Sequence, residues 1–214
     1  MANASFYMTM VSIIQSLALG YFATALKPIS IFAPISPTAW LLCILTYTIV
    51  IQMIVVTWHE YAIGSICFKW PLGYSDSWIP ILLGLCEYFV IYFATVEHTR
   101  YTFACGRPTP CFFIAFVVFL TLTWFAFQNQ YRKTVANRDD NKDILALIEP
   151  YLLSTRKLMF ANVIVYLVAA LVTWRYSEDW ISILFLVVCN GNIVFHAVRG
   201  KRAFDLVFSA TNAL

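Results

Sequence analysis

Six long apolar runs, at 5–26, 39–66, 79–97, 109–129, 158–176 and 180–198, occupy most of the 214 residues. A hydrocarbon core of roughly 30 Å takes about 20 consecutive apolar residues to cross as a helix. In lipid the backbone must satisfy its own hydrogen bonds, and runs of this length do so as helices. The pattern predicts an all-α polytopic integral membrane protein, a bundle of six transmembrane helices forming a single transmembrane domain over 1–214. Composition agrees: 61% of residues are hydrophobic and 12% charged, about half the charged share of a soluble domain. Six spans leave too little chain for a separate soluble domain.

The net charge of +3 is too small to point to nucleic acid. Its distribution orients the chain. Six spans put both termini on one side, with Lys69, Arg132, Lys133, Arg138, Lys142, Arg156, Lys157, Arg199, Lys201 and Arg202. The other side keeps Lys27, Arg100, Arg107 and Arg175. An excess of basic residues marks the cytosolic side, so the N and C termini are expected in the cytosol. No basic residue precedes Lys27, and the first run is expected as a retained helix rather than a cleaved signal. Trp40, Trp70, Trp78, Trp174 and Trp180 fall at run ends, where amphipathic rings prefer the membrane interface.

The stretch 130–157 is the most polar and reads as a cytosolic loop. Asp139, Asp140 and Asn141 can cap a short helix, and Ile144, Leu145, Ile148 and Leu152 give that helix one apolar face. The expectation is a short amphipathic cytosolic helix lying on the leaflet, or one that docks a cytosolic partner. Ser177, Glu178 and Asp179 leave room only for an antiparallel hairpin between the last two runs.

Gln15, Gln52 and Glu87 stand near the centres of the first three runs. Depth therefore groups them at the bilayer midplane. A carboxylate there is costly unless neutralised, bonded or hydrated. Ser5, Thr9, Ser12, Ser16 and Ala23 form a small-polar stripe on the first run, with Gln15 on its shoulder. Small and amide residues are also ordinary glue between membrane helices. Asn162, Tyr166, Ala169 and Thr173 share a face of the fifth run, and Cys189, Asn192 and His196 share one of the sixth. His59 and His196 are each seven residues from their helix centres, and two histidines at one level can hold a metal or a haem. Cys105 and Cys111, on the outer side, can form a disulfide in an oxidising compartment.

Several activities lose support. Every lysine lies at a run end or in a loop, which removes a mid-span Schiff base. The fourth run has no serine and no GxSx elbow occurs, which removes an intramembrane serine protease. Walker and Rossmann patterns are absent. No catalytic residue and no obligatory cofactor is indicated.

The stretch Tyr47 to Gly64, YTIVIQMIVVTWHEYAIG, resembles the second helix of the six-helix potassium channel family of prokaryotes and endolysosomal membranes. That helix ends in a tryptophan and a nearby histidine, here Trp58 and His59. The family's first-helix arginine followed by Phe-Ser-Asp is missing; this chain has MVSIIQSLALGYF. The opening segment also resembles uncharacterised bacterial multi-pass membrane proteins, which implies a bacterial inner membrane. The resemblance implies short-looped spans, both termini inside, and assembly into an oligomer with first helices along a pore.

The leading expectation is an oligomeric cation or proton channel or transporter. Ser12, Ser16 and Gln15 would support the path with Gln52, Glu87 would set charge preference, and His59 would sense pH. The second is a membrane-embedded sensor or assembly subunit that docks a partner through 130–157. The third is a haem-binding electron carrier using His59 and His196.

Overall fold

The computed structural model describes residues 2–25, 37–67, 74–96, 108–176 and 178–211. Six α-helices account for nearly all of them: α1 Ala2–Ala25, α2 Pro37–Cys67, α3 Tyr74–Val96, α4 Pro108–Ala136, α5 Lys142–Arg175 and α6 Asp179–Thr211. Helices α2 to α6 are each long and apolar enough to cross a membrane; α1 carries a shorter apolar helix, Thr9–Ala25. The all-α polytopic architecture therefore holds.

The helices pack in a circuit: α1 against α3, α3 against α4, α4 against α5, α5 against α6, α6 against α2, and α2 back against α1, with α2 also touching α3. Neighbours in sequence run antiparallel. Phe22 meets Tyr47 and Ser12 meets Trp58 across α1 and α2. Phe116 meets Tyr166 and Tyr131 meets Glu149 across α4 and α5. Alternate helices run parallel: Leu45 is matched to Asn190 and His59 to Phe204 across α2 and α6.

The core follows helical spacing. Phe112, Phe113, Phe116 and Phe119 put one aromatic face of α4 inward, stacked ring on ring and edge-on to Tyr166 at 5.3 Å. Ile49, Val50, Met53 and Ile54 of α2 and Leu83, Val90, Ile91 and Ala94 of α3 meet that face. The outer faces are apolar too, with Leu17, Val55, Leu85, Leu171 and Leu184 all more than half exposed. So broad an apolar exterior suits lipid, not water. Trp40, Trp78, Trp174 and Trp180 also point outward.

The stretch 130–157 is not a loop carrying a separate helix. α4 continues to Ala136, a single 3-10 turn covers Asp139–Asn141, and α5 then runs unbroken for 34 residues. Asn141 does not cap α5; its side chain turns back to donate to Asn137 O at 2.8 Å. The apolar face expected on a leaflet is buried in protein. Leu145, Ile148 and Leu152 form a second core with Ala203, Phe204 and Val207 of α6, closed by Phe127 and Tyr131 of α4. That core requires the sixth helix to run well past 198, and it reaches Thr211. Pro150 sits inside α5 and deletes one backbone bond. Burial of the residues on both sides of it keeps the helix continuous.

Candidate functional site

Two polar clusters lie inside the bundle. The first joins α1, α2 and α3. Val11, Gln15, Ala18 and Phe22 form the inward face of α1, which turns Gln15 toward α3. Its Nε2 donates to both oxygens of Glu87, at 3.1 and 3.0 Å. Glu87 has no exposed surface, and Thr57 of α2 lies beside it. A glycine makes this approach possible: a Cβ on Gly84 would lie 2.3 Å from Ile14 Cγ2. The gap lets α1 close onto α3 one turn from the Gln15–Glu87 bond. The carbonyl oxygens of Gln15 and Gln52 are buried without a hydrogen-bond partner, an arrangement that is rare enough to need a cause.

The second cluster surrounds a cavity of about 140 Å³ between α2, α4, α5 and α6. At roughly 10–15 Å³ per water, it has room for several. Glu60 lies at one end, with the Tyr151 hydroxyl beside it. Its carboxylate oxygen is close to α6 because residue 200 is glycine; a Cβ there would be 2.8 Å from Glu60 Oε1. Gly64 in the same way admits the Gln130 side chain. Farther along the cavity, Asn162 Nδ2 donates to His196 Nε2 at 3.0 Å. Asn192 Nδ2 donates to Asn162 Oδ1 at 2.9 Å and to the Tyr166 hydroxyl at 3.1 Å. The inward polar faces of α5 and α6 thus form one network. Thr57 lines this cavity and lies beside Glu87, so it stands between the two clusters.

The sequence-selected residues divide accordingly. Gln15 and Glu87 come together. Gln52 is half-buried near the same depth and is not hydrogen-bonded to Glu87. Ser12 is half-buried and receives a long 3.4 Å contact from Trp58 Nε1, while Ser16 is exposed on the outside of α1. Thr9, Ser16 and Ala23 of the small-polar stripe thus face away from the bundle interior. His59 packs edge-on against Phe204 at 6.1 Å, whereas His196 faces Asn162. Phe204 is eight residues beyond His196 on α6, about 12 Å of helix rise. The two histidines are not level, and a haem or metal shared between them is not supported. Among the described residues no group of three or more His, Cys, Asp or Glu side chains is placed to hold a metal. Cys111 is buried at the start of α4, and Cys105 lies outside the described residues.

Sequence reasoning passed over Glu60 and Thr57. The available signal was the length of the second run: 31 helical residues carry Glu60 into the bundle rather than leaving it at the interface. Tyr151 and Gln130 were hidden by the reading of 130–157 as a loop. Comparison with protein-family models, curated proteins and solved structures finds no match.

Proposed function

We propose that the protein passes a cation or a proton through the interior of its own helix bundle, between the cavity at Glu60 and the Glu87–Gln15 pair. The observation that carries this reading is Thr57, which lines the cavity and lies beside Glu87. An acidic side chain inside a membrane is expensive, and Glu87 beside a residue that lines the cavity of Glu60 fits a path better than a packing device. Thr57 and Glu60 are three residues apart on α2, on one helix face. The path differs from one lined by the first helices of an oligomer. Copies would associate through the outward small residues of α1, Ser12, Ser16, Gly20 and Thr24, which recur every fourth position and suit close helix contact. Both termini would face the cytosol, with the basic ends of α4, α5 and α6 beside them, in a bacterial inner membrane. The likeness of Tyr47–Gly64 to a potassium channel helix favours the same class of activity, since Thr57 and Glu60 fall within it.

Reconstituted vesicles with an internal pH dye, and separately with potassium and sodium gradients, test the reading. Flux above empty vesicles is expected for the wild type, with a large loss in Glu60→Gln and in Glu87→Gln. No flux of any of the three ions would sink the proposal.

A further inference from the structure

The surroundings of Glu60 narrow the kind of cation it can serve. The Tyr151 hydroxyl lies beside Glu60, and among the described residues no lysine or arginine forms an ion pair with it. Arg199 is adjacent to Gly200 in sequence but is otherwise engaged. It donates to Ser154 Oγ and lies over the rings of Tyr151 and Phe195, at 5.7 and 5.5 Å. Among the described residues, the carboxyl group at the end of the cavity thus has no ion-pair partner.

A bare divalent cation needs six or more oxygen ligands, or several retained waters. No cluster of metal-ligating side chains is gathered among the described residues. An ammonium group asks for less: one carboxylate and aromatic faces. The cavity offers both, since Tyr61, Tyr166, Phe116, Phe119 and Phe127 line it with Glu60. Its 140 Å³ also exceeds what one ion fills and holds on the order of ten water-sized atoms. The far end is polar but uncharged, formed by Asn162, Asn192 and His196. Asn192 is eight residues from Gly200, about 12 Å along α6. A molecule lying in the cavity would find its one acidic partner at the Glu60 end.

We infer that this cavity is a binding site for a protonated lipophilic amine, with its ammonium on Glu60 and its apolar body among Phe116, Phe119 and Met53. The inference rests on the permeation reading for its cellular purpose and names the class of cation. Binding is measured apart from flux.

The test is equilibrium dialysis of the full-length protein in phosphatidylcholine nanodiscs against 2-phenylethylamine, with 2-phenylethanol as the uncharged analogue. Saturable binding of one amine per chain is expected. The alcohol, and the amine against Glu60→Gln, should each bind at least about tenfold more weakly. Equal retention of amine and alcohol, equal retention by wild type and Glu60→Gln, or no saturable binding would each overturn the inference. If Glu60→Gln does not fold, the amine-to-alcohol ratio on the wild type decides alone. Amine binding without flux would support this site and remove the permeation reading. Proton flux without amine binding would do the reverse.

Discussion

Glu87 presents both oxygens to a single amide nitrogen, that of Gln15, at 3.1 and 3.0 Å. Substitution there separates support from transport. Glu87→Gln keeps size and hydrogen-bonding capacity, so the unfolding midpoint in detergent should move little while vesicle flux falls. Glu87→Leu strands the Gln15 amide in the core, and should lower stability by about 1–3 kcal/mol. Unchanged flux in Glu87→Gln would make the pair a structural lock. Thr57→Val is the sharper test of the link between clusters. It keeps the shape and removes only the hydroxyl, so the fold should survive, and it should nonetheless cut flux as deeply as Glu87→Gln. The Gln15–Glu87 pair was legible because each residue is a lone polar group at the centre of an apolar run; depth alone brought them together. Depth does not fix direction around a helix. That is why Gln52 and Ser16, at similar heights, turned out to face elsewhere. Glu60 was obscured by its neighbour His59, which made both look interfacial.

At the scale of elements, α5 shows where pattern and packing part company. Its first half is charged and contains Pro150, and these features read as a loop with a short helix. An isolated helix would break there, since an internal proline costs about 3 kcal/mol. The missing stability comes from the second core, where Leu145 and Ile148 are about fully buried against α6. That partner, the Ala203–Val207 segment, carries Asp205 among its apolar residues and follows directly on Arg202, and its hydropathy alone did not mark it as helix. Two substitutions distinguish a packed face from a membrane-surface face. Ile148→Ala should destabilise the folded protein by about 2–5 kcal/mol, as a buried large-to-small change does, measured by thermal unfolding in detergent with no bilayer present. A leaflet-facing side chain would show no such loss in detergent. Pro150 is exposed, so Pro150→Ala restores a backbone bond without creating a clash. It should raise the unfolding midpoint.

Over the whole molecule, alternating helix directions gather the basic residues at one end. Arg132, Arg138, Lys142, Lys157, Lys201 and Arg202 are exposed there, where α4, α5 and α6 extend beyond the length a bilayer needs. At 1.5 Å per residue, 34 residues of α5 make about 51 Å, against roughly 30 Å of hydrocarbon. The excess of α5 lies at its start, because Arg175 and the exposed Trp174 mark its other end as an interface. This end also holds Glu60 and Gln130, so the cavity belongs to the basic half of the bundle. A cation entering from that side would pass a collar that stays net positive after Asp139, Asp140, Asp143, Glu149 and Asp205 are set against its basic residues, with Glu149 paired to Arg138 and Asp205 to Lys201. Such a collar repels free inorganic cations in proportion to their charge and weakens with added salt. It acts less on an amine that arrives from the lipid in its neutral form and takes up a proton inside. Orientation decides which aqueous phase the collar faces. A cysteine placed at exposed Asp140 or at exposed Glu178, each in a variant lacking the native cysteines, should report opposite sides to a membrane-impermeant maleimide. Intact cells should label Glu178→Cys, while Asp140→Cys should react only after permeabilisation. Labelling of Asp140→Cys from outside would invert the molecule. The cavity would then open toward the exterior, and the amine would be taken up from outside rather than from the cytosol.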